Sequence, residues 1–261
     1  MLLAAKSERD LYKIIEKAEE RGIKYKAFRE PDLGNAITAI ALEPGNESKR
    51  LCSSLPLALK NLPSEEDCKK EADLRRVVCE MNACEQTEGM TIYEHGMMVR
   101  DRLFQLLDHL DGHPLQGEWR LPTWFNEYRE QIKNGLMDRY TLDKYTIFHD
   151  CGKPNCRTVD ENGKQHFHNH AQISAWVWDS IGGEPEIGRL IGMDMDIHLL
   201  KADGIDEFCQ RPEAISLLLA GLAEIHANAS MFGGIESTSF KIKWKQIDRR
   251  GRAILKQLFN N

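Results

Sequence analysis

The chain has no CxxC pair, and its seven cysteines are odd in number and irregular in spacing. That excludes an orderly disulfide framework, and the spacings Cys79–Cys84 and Cys151–Cys156 suit a zinc knuckle poorly, so reduced thiols are expected. Long apolar runs are missing as well. The longest runs, such as Ile215-Ser-Leu-Leu-Leu-Ala220, fall far short of the roughly 20 residues of a spanning helix. Met1-Leu-Leu-Ala-Ala is followed at once by Lys6, Ser7, Glu8 and Arg9, which is no secretory apolar region. A cytoplasmic protein without a membrane partner is the expectation. Repeats and low-complexity tracts are lacking, and 41% hydrophobic with 29% charged residues excludes disorder, collagen and a coiled coil.

Basic charge is scarce beyond residue 63. Residues 1–63 hold 11 basic and 9 acidic side chains, so a total of −6 leaves −8 on residues 64–261. An acidic domain repels a long phosphate backbone, so no extended duplex is expected as a partner. A small substrate or a single nucleic-acid end fits better.

What is present divides in two. Residues 1–62 read as a small α/β unit in β-α-β-β-α order. It comprises the apolar Leu2–Ala5, a Ser7-capped helix over 8–21, strands at 23–28 and 36–42, and a helix over 47–60. Leu62-Pro63-Ser64 marks the junction, with Ser64 capping the helix after it. Residues 63–261 read as almost wholly helical, with helices at 65–84, 91–110, 121–135, 140–151, 169–181, 184–200, 212–228 and 245–259. The exception is 156–168, where Glu161-Asn-Gly163 turns a two-strand hairpin.

Nine histidines carry the chemistry. On the 91–110 helix, Ile92, His95, Val99, Leu103, Leu106 and Leu110 follow at steps of three and four, so His95 points inward. Leu142, Tyr145 and His149 share a stripe that ends at Asp150, and His170 leads Ile173, Val177 and Ile181. One inward histidine is ordinarily a hydrogen-bonded core residue. Three of them beside a carboxylate are costly to bury unless a cation joins them. His166 and His168 alternate on a strand, one facing the site and one solvent, whereas His109 and His113 read as a solvated helix end. The basic 239–252 stretch, with Phe240 and Trp244, reads as a solvated face or as a phosphodiester contact.

Four segments recur in a known order: Tyr93-Glu-His95-Gly96, Phe148-His-Asp-Cys-Gly-Lys-Pro154, His166-Phe-His-Asn-His170 and Leu222-Ala-Glu-Ile-His-Ala-Asn228. Over about residues 85–230 the chain resembles the HD-domain superfamily of metal-dependent phosphohydrolases. The block around 158–170 looks most like the HD domain of bacterial tRNA nucleotidyltransferases, and 222–228 looks like a segment of ppGpp hydrolases. The resemblance implies a mainly α fold, an all-helical HD domain with a β-hairpin insertion behind the small α/β unit. Carried over, His95, His149 and Asp150 match metal ligands, and Lys153 matches a lysine that touches substrate phosphate rather than metal. Glu224 is the best match to the last ligand, an Asp in the family, with Gly221 leaving room for the longer side chain; Asp194 or Asp196 is the alternative. His170 and His198 match the added histidines of two-metal members, or else contact substrate.

Residues 2–11, 28–32 and 37–45 resemble the second half of a type-two peptidyl-tRNA hydrolase. No catalysis carries over, which leaves an accessory or RNA-tethering module. The implied enzyme is a phosphomonoesterase or phosphodiesterase using Mn, Fe, Co, Ni, Zn or Mg. In it Lys153, with His166, His168 or His170, neutralises charge on a nucleotide or on an RNA-terminal 2′,3′-cyclic or 2′/3′ phosphate. The competing expectation is an inactive RNA- or nucleotide-binding adaptor, for which the altered last ligand speaks.

Overall fold

A computed structural model describes residues 2–58 and 64–260. Two compact units form, Met1–Glu80 and Met81–Asn261. The division therefore falls inside a helix and not at the 62/63 junction read from the sequence. Arg75, on that helix, ion-pairs with Asp32 of the first unit.

In the first unit, α1 (Glu8–Glu20) starts at Ser7, whose hydroxyl accepts the Asp10 amide at 3.2 Å. It buries Tyr12, Ile14, Ile15 and Ala18. Strands β1 (Tyr25–Glu30) and β2 (Ala36–Leu42) pair antiparallel, with a bulge at Phe28/Arg29. Helix α2 is only Asn46–Leu51, shorter than the 47–60 expected, and residues 59–60 and Leu62-Pro63 lie outside the described residues. The strand expected at 2–5 shrinks to one bridge, Leu3 to Leu57. Helix α3 (Glu65–Ala83) begins after Ser64, whose hydroxyl accepts the Asp67 amide as the sequence indicated.

The second unit opens on a hairpin that the sequence did not reveal, β3 (Glu85–Thr87) with β4 (Met90–Thr91). Thr91 and Glu94 then form a reciprocal cap on α4 (Ile92–Leu110). The single helix expected at 121–135 breaks at Tyr128 into α5 (Thr123–Glu127) and α6 (Arg129–Gly135). Helix α7 (Arg139–Phe148) stops before His149 and passes through a turn into α8 (Lys153–Cys156). The hairpin β5 (Arg157–Val159) and β6 (Gln165–Phe167) forms as expected. It leads to α9 (His170–Ser180). The expected 184–200 helix breaks after Gly192 into α10 (Pro185–Gly192) and α11 (Asp196–Leu199). A short α12 (Ile205–Cys209) precedes α13 (Ala214–Met231) and α14 (Thr238–Phe259), which starts seven residues before the expected 245.

This architecture is mainly helical with small antiparallel hairpins. Its axis is α13, which by length and mean hydropathy (1.3) passes as a membrane span, although its sequence runs looked too short for that. Here 78% of it is buried inside the unit, so it serves as the core helix. Helix α4 packs against both α13 and α7, and α4 and α7 approach each other at Gly96. A Cβ at that position would sit 2.2 Å from the Ile147 carbonyl oxygen. The absent side chain lets His95 and His149 come from two helices to one place. Gly152 serves closeness too: its backbone has ordinary helical φ, and a Cβ there would meet the Ser174 nitrogen of α9 at 2.3 Å.

Candidate metal centre

His95, His149 and Asp150 bring three ligand atoms within 4.8 Å of one another, all three residues being at most 2% exposed. This buried group is able to hold a metal ion. The two rings sit edge to face, 5.4 Å apart. Asp150 Oδ2 lies 3.2 Å from His149 Nε2 and 3.8 Å from His95 Nε2. His149 donates its Nδ1–H to the Thr146 carbonyl at 2.8 Å, which turns Nε2 inward. That backbone anchor is the arrangement that fixes a metal-binding imidazole.

Three buried atoms of this group, His95 Nδ1, His149 Nε2 and Asp150 Oδ1, make no hydrogen bond. Each such atom costs roughly 1–3 kcal/mol. A divalent cation on His149 Nε2 removes the cost of that atom, and two imidazoles with a carboxylate are a donor set that fits a borderline metal.

Charge is dense here. Burial alone would push the Asp150 carboxyl up, yet His149, Lys153 and His95 hold it well below the carboxylate range. Burial opposes a charged His149, but Asp150, Asp194 and Glu224 outweigh it and lift the imidazole to about 10.

Lys153 lies against the group. Its ammonium donates to Asp150 Oδ2 at 2.6 Å and to Gln86 Oε1 at 3.0 Å, and the residue is 7% exposed. It therefore contacts a ligand of the candidate centre directly. His170 reaches the group as well: Nε2 lies 3.6 Å from Asp150 Oδ1 while Nδ1 bonds the Phe167 carbonyl. His168 is not brought there by any contact. It is exposed, and its ring stacks on His166 at 5.7 Å, so the two do not face opposite ways. His166 in turn bonds Asp160 at 2.9 Å. The reason is local: β6 ends at Phe167, and strand alternation ends with it.

Glu224 stands beside the group and not in it. His198 Nε2 bonds Glu224 Oε2 at 2.7 Å, and Asn228 donates to Oε1 at 3.3 Å. Burial would raise the Glu224 carboxyl, but His198, His149 and His95 depress it strongly. The room expected at Gly221 is taken by Ile197, whose Cγ2 would lie 2.8 Å from a Cβ there. Asp194 is buried and accepts the Tyr145 hydroxyl at 2.7 Å, within the electrostatic reach of His149, Asp150 and Glu224. Asp196 is tied to Arg211 and drops out as a ligand. Glu224→Gln keeps the shape and removes the charge that offsets a cation. It is expected to weaken Mn(II) binding roughly 10-fold by titration, whereas Glu224→Asp should retain it.

Tyr145 and Gln86 were missed as site residues. Tyr145 already lay on the His149 stripe, one helical turn away. Gln86 had no such signal, because its hairpin is only three and two residues long.

His226 is a structural post. Nδ1–H donates to the Leu222 carbonyl at 2.8 Å, Nε2 accepts the Arg120 amide at 3.1 Å, and Trp119 covers the ring. His109 likewise stacks on Phe125. Burial depresses His226 from 6.5 to about 4. The unfolded chain thus binds a proton that the folded chain refuses between these values. This contribution to stability is complete above pH 6.5 and is lost as pH falls toward 4. His95, held at about 4 by burial and by His149, acts in the same sense. Unfolding free energies from urea titrations should fall between pH 7 and pH 4.5 by about 2 kcal/mol from His226. The slope should flatten in His226→Gln; an unchanged slope would remove His226 from the account.

The basic stretch at 239–252 lies on α14, where Phe240 and Ile247 are buried and Trp244 donates to the Arg120 carbonyl at 2.6 Å. All seven cysteines are free thiols. Comparison with protein-family models, with curated proteins and with solved structures returns no match to this chain.

Proposed function

We propose that the second unit is an HD-type metal-dependent phosphohydrolase. The observation that carries the reading is the buried His95–His149–Asp150 group with three unbonded polar atoms and a buried lysine against it. His95, His149 and Asp150 hold the cation, with Glu224 and Asp194 supplying further negative charge nearby. A divalent ion held there would polarise a phosphoryl oxygen and lower the pKa of a bound water. The remaining roles fall to the chain. Thr146 keeps His149 in the tautomer that presents Nε2. Lys153 and His170, on either side of Asp150, supply positive charge and N–H donors to phosphate oxygens. His198, bonded to Glu224, contacts substrate or a second ion.

The substrate is a nucleotide or an RNA end bearing a 2′,3′-cyclic or 2′/3′ phosphate. The sequence likeness around 158–170 favours the RNA end, and the acidic second unit favours a short ligand over duplex. The first unit is read as an accessory module.

The test is to strip the protein, reload it with Mn, Fe, Co, Ni, Zn or Mg, and assay nucleotides and end-phosphorylated oligonucleotides. Metal-dependent phosphate release or ring opening supports the proposal. Bound metal with no turnover on any substrate favours the adaptor. Failure to bind any of the six ions sinks the metal centre.

A further inference from the structure

Asp150 has two oxygens with different neighbours. Oδ1 faces His170 at 3.6 Å. Oδ2 faces His149 and His95, so it is the oxygen that a cation held by those imidazoles would share. Lys153 places its ammonium on that same Oδ2, at 2.6 Å. Two cations crowding one carboxylate oxygen in a buried site repel strongly, because the interior screens them far less than water does.

The ammonium has somewhere else to go. Gln86 Oε1, on β3, accepts it at 3.0 Å, and the face of Phe167, on β6, lies 5.4 Å away. Both are neutral, and both suit a cation. Gln86 lies 67 residues from Lys153 in sequence, so only the fold makes this pairing.

We infer that Lys153 competes with the metal for Asp150, and that Gln86 is a positioning residue that holds the ammonium when it leaves. The inference rests on the metal-centre reading and deepens it: cation loading and lysine placement are one exchange. Loading shifts Lys153 from Asp150 toward Gln86, where its N–H bonds are free to meet a phosphate oxygen. The cation and the phosphate-binding lysine are thereby made ready together.

The test measures Mn(II) affinity by calorimetry on the full chain, with no turnover required. Lys153→Met removes the competitor and should tighten Mn(II) by about 10-fold, the scale on which neighbours of metal ligands act. Gln86→Leu leaves the ammonium no alternative acceptor and should weaken Mn(II) several-fold. The double variant should bind as Lys153→Met does, since Gln86 acts only through Lys153. Lys153→Arg keeps the charge and should not tighten binding.

Equal or weaker affinity in Lys153→Met overturns the exchange, as does a Gln86→Leu effect that persists in the double variant. Should Lys153→Met fail to fold, an unchanged affinity in Gln86→Leu, or a tightened one in Lys153→Arg, overturns it alone. A parent protein that binds no Mn(II) overturns the metal centre itself, a different result from a parent that binds and is indifferent to Lys153.

Discussion

Replacing Asp150 by alanine is expected to strip the divalent metal and abolish turnover, and excess metal should not restore either. The carboxylate is the shared partner of His149, His95, Lys153 and His170. Its removal takes the negative ligand from the buried group and leaves the Lys153 ammonium against the neutral Gln86 and Phe167. Breaking a buried charge pair by deleting one partner costs roughly 3–5 kcal/mol. Thermal melts of Asp150→Ala should therefore show a large drop even without metal in the buffer. Asp150→Asn keeps the shape and some hydrogen bonding, so it should fold better while still losing metal. Metal analysis and melting of both variants separate the two effects. Full metal and full activity in Asp150→Ala would end the HD reading at its centre.

The second large effect is expected at a residue with no chemistry. In Gly96→Ala the new Cβ would lie 2.2 Å from the Ile147 carbonyl oxygen and 3.0 Å from its carbon. These are main-chain atoms of α7, so no side chain can rotate away. Helix α4 has to back off, and repacking of that kind costs roughly 1–3 kcal/mol or more. The retreat also carries His95 away from His149 and Asp150. Metal affinity should thus fall even in the population that remains folded, which a denaturant titration and an Mn(II) titration report independently. A variant within about 0.5 kcal/mol of the parent would show that the two helices do not meet there.

Much of this site was legible because its residues sit on regular helices. His95 shares a stripe with Ile92, Val99, Leu103, Leu106 and Leu110, and each of these is buried. His149 followed Leu142 and Tyr145 in the same way. The breaks at Tyr128 and after Gly192 were hidden, since 121–135 and 184–200 carry helical periodicity straight across them. The start of α14 was obscured by lysines at 241, 243 and 245, although Phe240 and Ile247 are seven residues apart on the buried face.

Tertiary pairings were not readable at all. Nothing in the local sequence says that His198 faces Glu224, that Ile197 fills the space over Gly221, or that Lys153 turns back to Asp150. For Lys153 two local options compete, a reach outward to solvent or inward to Asp150 one turn back. Burial by Phe167 and the acceptor on Gln86 decide between them, and both come from other elements.

Residues 145–153 act as the common datum of the centre. Tyr145 fixes Asp194 at 2.7 Å, the Ile147 carbonyl sets how near α4 comes, the Gly152 amide donates to the Ser174 hydroxyl at 2.9 Å, and Lys153 reaches Gln86 at 3.0 Å. Asp194, α4, α9 and the β3–β4 hairpin are each positioned against this one short stretch, whereas Glu224 is held by His198 and Asn228. Positional errors therefore do not accumulate around the ring of elements: a shift in α4, α9 or the β3–β4 hairpin misplaces one group. An insertion or deletion between Tyr145 and Lys153 would put all of them out of register at once.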